Sequence, residues 1–198
     1  RGNSELDRTL LQLRSYGAYL LNPSWNRPLV SEIPNSPFKV STELRAIGPV
    51  AVFGSSNFPF ASSTAGGDTA SALAAGCPVI VKAHSMHAGT SYLVAECILK
   101  VAQEVGAPDG VFSHLLDNGF DIGEELVTNE SIKAVGFTGS IKGGRALMDL
   151  AAKRLAPIPV FAEMGSVNPV VFFNNVLEKN SELWIDKFTK SIATDAGQ

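Results

Sequence analysis

The sequence predicts an α/β fold: a Rossmann-like parallel sheet with helices on both faces. Three observations predict it. Short apolar runs recur at residues 50–53, 78–82, 111–116, 134–137 and 160–162. Longer stretches with helical spacing separate them, at 60–75, 90–105, 122–128 and 142–155. Glycine and proline punctuate the joints, as in Gly76-Cys77-Pro78 and Gly106 with Pro108. Strand alternating with helix at this spacing reads as successive βαβ units. Sheets of this kind bind ligands beyond the carboxyl ends of their strands. That directs attention to the loops at 54–58, 82–87, 138–140 and 163–168.

The strand at 78–82 has Val79-Ile80-Val81 as its β-branched centre, and the helix before it is expected to stop at Gly76. Upstream, Leu6, Leu10, Leu13, Tyr16 and Leu20 recur at helical spacing, so residues 4–21 are expected to form a helix. Residues 22–37 are rich in Pro, Asn and Ser and read as a connecting arm with short extended pieces. The expected organisation is therefore an N-terminal helix and arm over 1–47, followed by the α/β domain over 48–198.

With 198 residues, 45% of them hydrophobic and 18% charged, the chain can bury a core and is not of disordered composition. A net charge of −3 without any basic stripe argues against a nucleic-acid partner. No apolar run reaches the length of a membrane span and no signal peptide opens the chain; the expected cytoplasmic setting rests on the two cysteines, Cys77 and Cys97, which show no pairing pattern. Cys77 and Cys97 form neither a C-x-x-C pair nor a metal spacing, and both are expected to be packed, inert thiols. His84 and His87 lie three apart in a loop with no carboxylate beside them, so no metal site is expected.

Neither G-x-G-x-x-G nor a P-loop is present, so a nucleotide site must come from other groups. Phe137-Thr138-Gly139-Ser140 ends a strand before a helix. Gly139 permits close backbone approach, and Ser140 either simply caps the helix or also presents its hydroxyl to a phosphate at the helix N-terminus. Lys82 ends an apolar strand and is either a solvated strand-end lysine or a cation at the ligand rim. Glu163 ends the fifth strand before Met164-Gly165, where a carboxylate is either a general base or a structural partner. Asn57, in the first strand-to-helix turn, is either a turn residue or an amide donor to an oxyanion.

Read together and in order, Gly48-Pro49-Val50, Ser56-Asn57-Phe58-Pro59, residues 74–82, Phe137-Thr138-Gly139-Ser140 and Glu163-Met164-Gly165 with Asn168-Pro169 resemble the aldehyde dehydrogenase superfamily over roughly residues 40 to 198. The resemblance implies that these residues form its coenzyme-binding domain. It implies that Asn57 contributes to the oxyanion hole and that Glu163 activates water for deacylation. Lys82 would hold the adenosine ribose and Ser140 would contact the pyrophosphate. Phe137, Thr138 and Gly139 would form the strand end beneath the coenzyme, and Gly165 would let the chain pass the nicotinamide. Gly143 stands where many members place an apolar side chain against adenine, which implies a weaker contact there.

Glu163-Met164-Gly165-Ser166-Val167-Asn168-Pro169 is similar to the branch containing α-ketoglutaric semialdehyde dehydrogenases and NADP-preferring fatty-aldehyde dehydrogenases. Most relatives have a second glycine and a lysine in place of Ser166 and Val167. NAD-preferring members often carry a glutamate three residues after the motif lysine, where this chain has Ser85. A serine leaves room for a 2′-phosphate, with Lys82 and either His84 or His87 supplying charge, so NADP is the expected coenzyme and NAD the alternative.

The family reaction uses a cysteine thiolate to attack the aldehyde. In relatives it follows a segment resembling Asp195-Ala196-Gly197-Gln198 by a residue or two, and neither Cys77 nor Cys97 matches that place. The expectation is a fragment of an enzyme that acts on a small aldehyde, inactive by itself, from a parent that is a homodimer or homotetramer. The competing expectations are a non-catalytic dinucleotide-binding or structural module, and a reductase of acyl-CoA or acyl phosphate. Glu163 argues against the reductase, because such enzymes commonly lack the deacylating glutamate.

Overall fold

The structure is a computed structural model and describes residues 2–194. It falls into two compact units, one running through Gly165 and the other starting at Ser166.

The first unit opens with α1 (Gly2–Leu20) and a two-stranded antiparallel hairpin, β1 (Leu29–Glu32) with β2 (Lys39–Thr42). The expected arm is thus partly ordered as extended pairs. A five-stranded sheet follows, built from β3 (Val50–Phe53), β4 (Val79–Lys82), β5 (Phe112–Leu115), β6 (Ala134–Thr138) and β7 (Val160–Glu163). Its order is β5-β4-β3-β6-β7 and every pairing is parallel. The helices between the strands are α2 (Gly67–Ala74), α3 (Ala88–Glu104), α4 (Asp121–Thr128) and α5 (Ile141–Ala152).

Alternation along β3 explains the two-sided core. Val50 and Val52 pack with Val79, Val81, Phe112 and Ala134 on one face, together with Ala72 and Leu73 of α2 and Ala95 of α3. Ala51 and Phe53 point the other way, into a cluster with Val135, Val127 of α4 and Ala151 of α5. All four β3 residues are buried, as a central strand of a parallel sheet requires.

Two expectations need correction. The helix expected over 60–75 is only Gly67–Ala74, because the chain from residue 58 to 66 closes into turns. Ser55 N–H donates to Ser62 O and Gly66 N–H to Ser63 O, and a Cβ on Gly66 would lie 2.6 Å from Ala61 O. The helix does end where Gly76 adopts φ +78. Cys77 is buried as expected, but Cys97 is exposed on the outer side of α3.

In the second unit the chain forms α6 (Asn174–Ala193), bent where Asn180 leaves helical geometry. Phe172 packs edge-on against Trp184 and Phe188. Residues 195–198, the segment compared above with the one preceding the family's cysteine, lie outside the described residues. No described helix is long and apolar enough to cross a membrane.

Candidate active site

The sheet order fixes where a ligand fits. After β3 the chain enters α2 on one face, and after β6 it enters α5 on the other. Because β3 and β6 are neighbours, their following loops part and leave a crevice at the carboxyl ends of the strands. Asn57 lies in the first of these loops and Gly139 and Ser140 lie in the second. Glu163 ends β7, paired in register with Thr138. One strand separates β3 from β7, so these ends are about 10 Å apart across the sheet. Asn57 and Glu163 are both exposed.

Ser140 is the N-cap of α5, and its Oγ accepts the Gly143 N–H at 3.1 Å. The capping reading therefore holds, and the hydroxyl hydrogen stays available as a donor at the helix N-terminus. The small residues around it serve Phe137. A Cβ on Gly139 would meet the Phe137 ring at 2.7 Å, and one on Gly143 would meet it at 3.0 Å. Gly143 is thus explained by ring packing within the chain. A Cβ on Gly144 would clash with Met164 Cγ, so the start of α5 lies close to the residue after Glu163. Gly165 adopts φ +147, a conformation that side-chain-bearing residues rarely reach.

Lys82 ends β4, 3.9 Å from Asp117 in the segment after β5, and both side chains are largely buried. The charge counted for a phosphate is therefore already faced by an acid. Ser85 opens a 3₁₀ turn, Ser85–His87, and is exposed. His84 Nδ1 accepts the Met86 N–H at 3.2 Å. Burial, then the neighbouring His87 and Lys82, hold its pKa below the ordinary histidine value, which works against added positive charge. His87 stacks on His84 and donates from Nε2 to Ser55 O at 2.8 Å, tying the β4 turn to the β3 loop.

Asp68, a residue the sequence reading did not single out, enters the same end. It sits in the first turn of α2 with its carboxyl group over β6, where Gly136 leaves space and Thr138 Oγ1 donates at 3.4 Å. Burial raises its pKa above the ordinary carboxylate value, the Thr138 bond opposes that, and the Glu163 charge adds to it. The available signal was an acid following Gly66-Gly67 at a helix start, which resembles any helix-capping acid.

A cavity of about 1040 Å³ lies at the opposite end of the strands, lined by Pro49, Lys133, Arg154 and Pro159. It is open and displaced from every group named above.

Comparison with known proteins matches the aldehyde dehydrogenase family model over residues 3–198. The chain belongs to the aldehyde dehydrogenase family. It is 46% identical to α-ketoglutaric semialdehyde dehydrogenase 2 of Azospirillum brasilense over all of this chain and 39% of that protein. It is 50% identical to the α-ketoglutaric semialdehyde dehydrogenase of Acinetobacter baylyi over 77% of this chain and 28% of that protein. Among solved structures, the NADP complex of glyceraldehyde-3-phosphate dehydrogenase GapN from Methanocaldococcus jannaschii superposes with a TM-score of 0.68 at 25% identity, covering 84% of this chain and 34% of that one. An NAD-dependent benzaldehyde dehydrogenase from Corynebacterium glutamicum gives 0.65 at 27%, covering 82% and 34%. The chain thus spans well under half the length of these relatives. As an aldehyde dehydrogenase domain it retains the parallel sheet and its rim, and its two cysteines lie away from that rim. Cys77 precedes β4 at the amino end of the strands, and Cys97 lies nine residues into α3, roughly 13 Å down the helix from the rim.

Proposed function

We propose that residues 48–198 form the coenzyme-binding part of an enzyme that oxidises an aldehyde to a carboxylic acid with a nicotinamide adenine dinucleotide. The observation that carries this is the gathering of Asn57, Lys82, Thr138, Gly139, Ser140, Glu163 and Gly165 at one end of one parallel sheet, around the crevice between β3 and β6.

The residues fit such a coenzyme. The N-terminus of α5, with the Ser140 hydroxyl, suits the pyrophosphate, and Gly139 carries no side chain that would block its approach. Lys82 supplies a cation for the ribose hydroxyls, with Phe137 and Thr138 as the floor. The coenzyme, when bound, accepts the hydride. Glu163 takes a proton from water, so that hydroxide would attack the acyl carbon of a thioester carried by a cysteine of the parent enzyme, and the carbon–sulfur bond would break to release the acid and the thiolate. The Asn57 amide N–H donates to the oxygen that gains charge. Gly165 turns the chain away after Glu163 without a side chain. Neither cysteine serves as nucleophile.

On the exposed Ser85 alone, which leaves room for a 2′-phosphate, NADP is the first candidate and NAD the other. The named relatives suggest a semialdehyde that also carries a carboxylate as the substrate class. Assembly of the complete enzyme into dimers or tetramers belongs to the same reading, as does a cytoplasmic setting, with which two unpaired cysteines agree.

The test is titration calorimetry with NADP and NAD on wild type and Ser85→Glu. Binding of NADP that weakens about tenfold or more in the variant, through like-charge repulsion, is expected. An unchanged preference removes Ser85 from the argument, and absence of binding to wild type removes the coenzyme reading.

A further inference from the structure

This inference rests on the coenzyme reading above and concerns the Lys82–Asp117 pair. Lys82 and Leu115 are register partners at the ends of β4 and β5, and Asp117 follows two residues later. The side chains are only 16% and 12% exposed. Asp117 Oδ1 accepts the Gly119 N–H at 2.9 Å, which fixes the direction of the carboxylate. Oδ2 is buried and accepts no hydrogen bond among the described residues.

The 3.9 Å gap between Oδ2 and Lys82 Nζ is too long for a hydrogen bond. A buried acceptor left without a donor is destabilising. The rim therefore holds a cation with a spare donor and a carboxylate with a spare acceptor. A hydroxyl group answers both, because its oxygen accepts from Lys82 and its hydrogen donates to Asp117. A phosphate accepts from Lys82 but, as a dianion, has nothing to donate to Asp117 and adds like charge beside it.

We propose that Asp117 determines coenzyme selectivity: it accepts the hydrogen bond of the adenosine 2′-hydroxyl and penalises a 2′-phosphate. The acid absent at position 85 is supplied from the segment after β5. Ser85 sets whether a 2′-phosphate has room, and Asp117 sets its electrostatic cost.

Dissociation constants for NAD, NADP and 2′-deoxy-NAD, measured by calorimetry at fixed ionic strength on wild type, Asp117→Asn and Asp117→Glu, test this. Asp117→Asn should shift the ratio of affinities toward NADP by about tenfold. Asp117→Glu, which keeps the charge, should stay close to wild type. Wild type should bind 2′-deoxy-NAD several-fold more weakly than NAD. An unchanged NADP-to-NAD ratio in folded Asp117→Asn overturns the proposal. If circular dichroism shows that variant unfolded, equal affinity of wild type for NAD and 2′-deoxy-NAD overturns it instead. Wild type that binds no dinucleotide sinks the coenzyme reading and this inference together, which separates that failure from the loss of Asp117 alone.

Discussion

At the scale of single residues, two groups of the candidate site, Asp68 and His84, lie in environments that work against their charged forms. Asp68 is the clearest. An acid in the first turn of a helix ordinarily gains from the helix dipole, yet here burial outweighs that gain, and Glu163 adds repulsion. With its folded-state pKa above the ordinary carboxylate value, Asp68 binds more protons folded than unfolded between its unfolded and folded pKa values. Its ionisation therefore removes stability, and the loss is complete once pH exceeds the folded-state pKa. Asp68→Asn, which keeps the acceptor for Thr138, is expected to raise the thermal midpoint at neutral pH and flatten its dependence between mildly acidic and neutral pH. Thermal melts over a pH series check this, and a midpoint at neutral pH lower than wild type contradicts it. His114 carries the opposite sign. Burial lowers its pKa below 6.5, and its Nε2 bonds Ser91 Oγ at 2.8 Å, so protonation on acidification costs stability.

At the scale of elements, spacing in the sequence located most of the structure but did not show what some of it buries. The strands at 50–53, 78–82 and 134–137 were legible because a central parallel strand is apolar on both faces, and the edge strands at 111–116 and 160–162 from their short apolar runs between helical stretches. The first helix was legible from its leucines, but Leu6, Leu10, Leu11 and Leu13 stay 38–64% exposed. Its buried residues are Glu5 and Thr9. Glu5 Oε1 accepts the N–H of Phe60 at 2.7 Å and of Ala61 at 3.0 Å, holding the turn that leads into α2. That contact spans more than fifty residues, so local periodicity holds no trace of it. The same turn defeated the longer helix expected over 60–75. Asp117 and Asp68 were missed for a related reason, since their roles come from strands brought together by the sheet order. Glu5→Ala leaves two backbone donors without their carboxylate and is expected to cost about 3 kcal/mol. Glu5→Gln keeps an oxygen for both donors and should cost less than half of that. Denaturant melts on both variants provide the measurement, and equal losses would show that packing, not these bonds, is the contribution of α1.

At the scale of the whole molecule, the sheet separates chemistry from scaffold along the strand axis. Groups able to bind a dinucleotide or move a proton sit at the carboxyl ends, while the amino ends carry joints such as Gly76-Cys77-Pro78. This polarity decides what the two thiols can do. Cys77 is 3% exposed at the amino-end joint, where no aldehyde held near Glu163 can reach it. Cys97 is open to solvent but faces outward from α3, below the rim by the rise of nine helical residues. A thiolate attack requires the reacting atoms within about 3.5 Å, which neither position offers. The 198-residue chain mixed with NADP and a semialdehyde is therefore expected to show no aldehyde-dependent absorbance of NADPH, while still binding NADP. Cys77→Ala and Cys97→Ala should leave both results as they are. Turnover by the wild-type chain that disappears in either variant would place the nucleophile on the scaffold side of the sheet and undo the division of labour argued from its polarity.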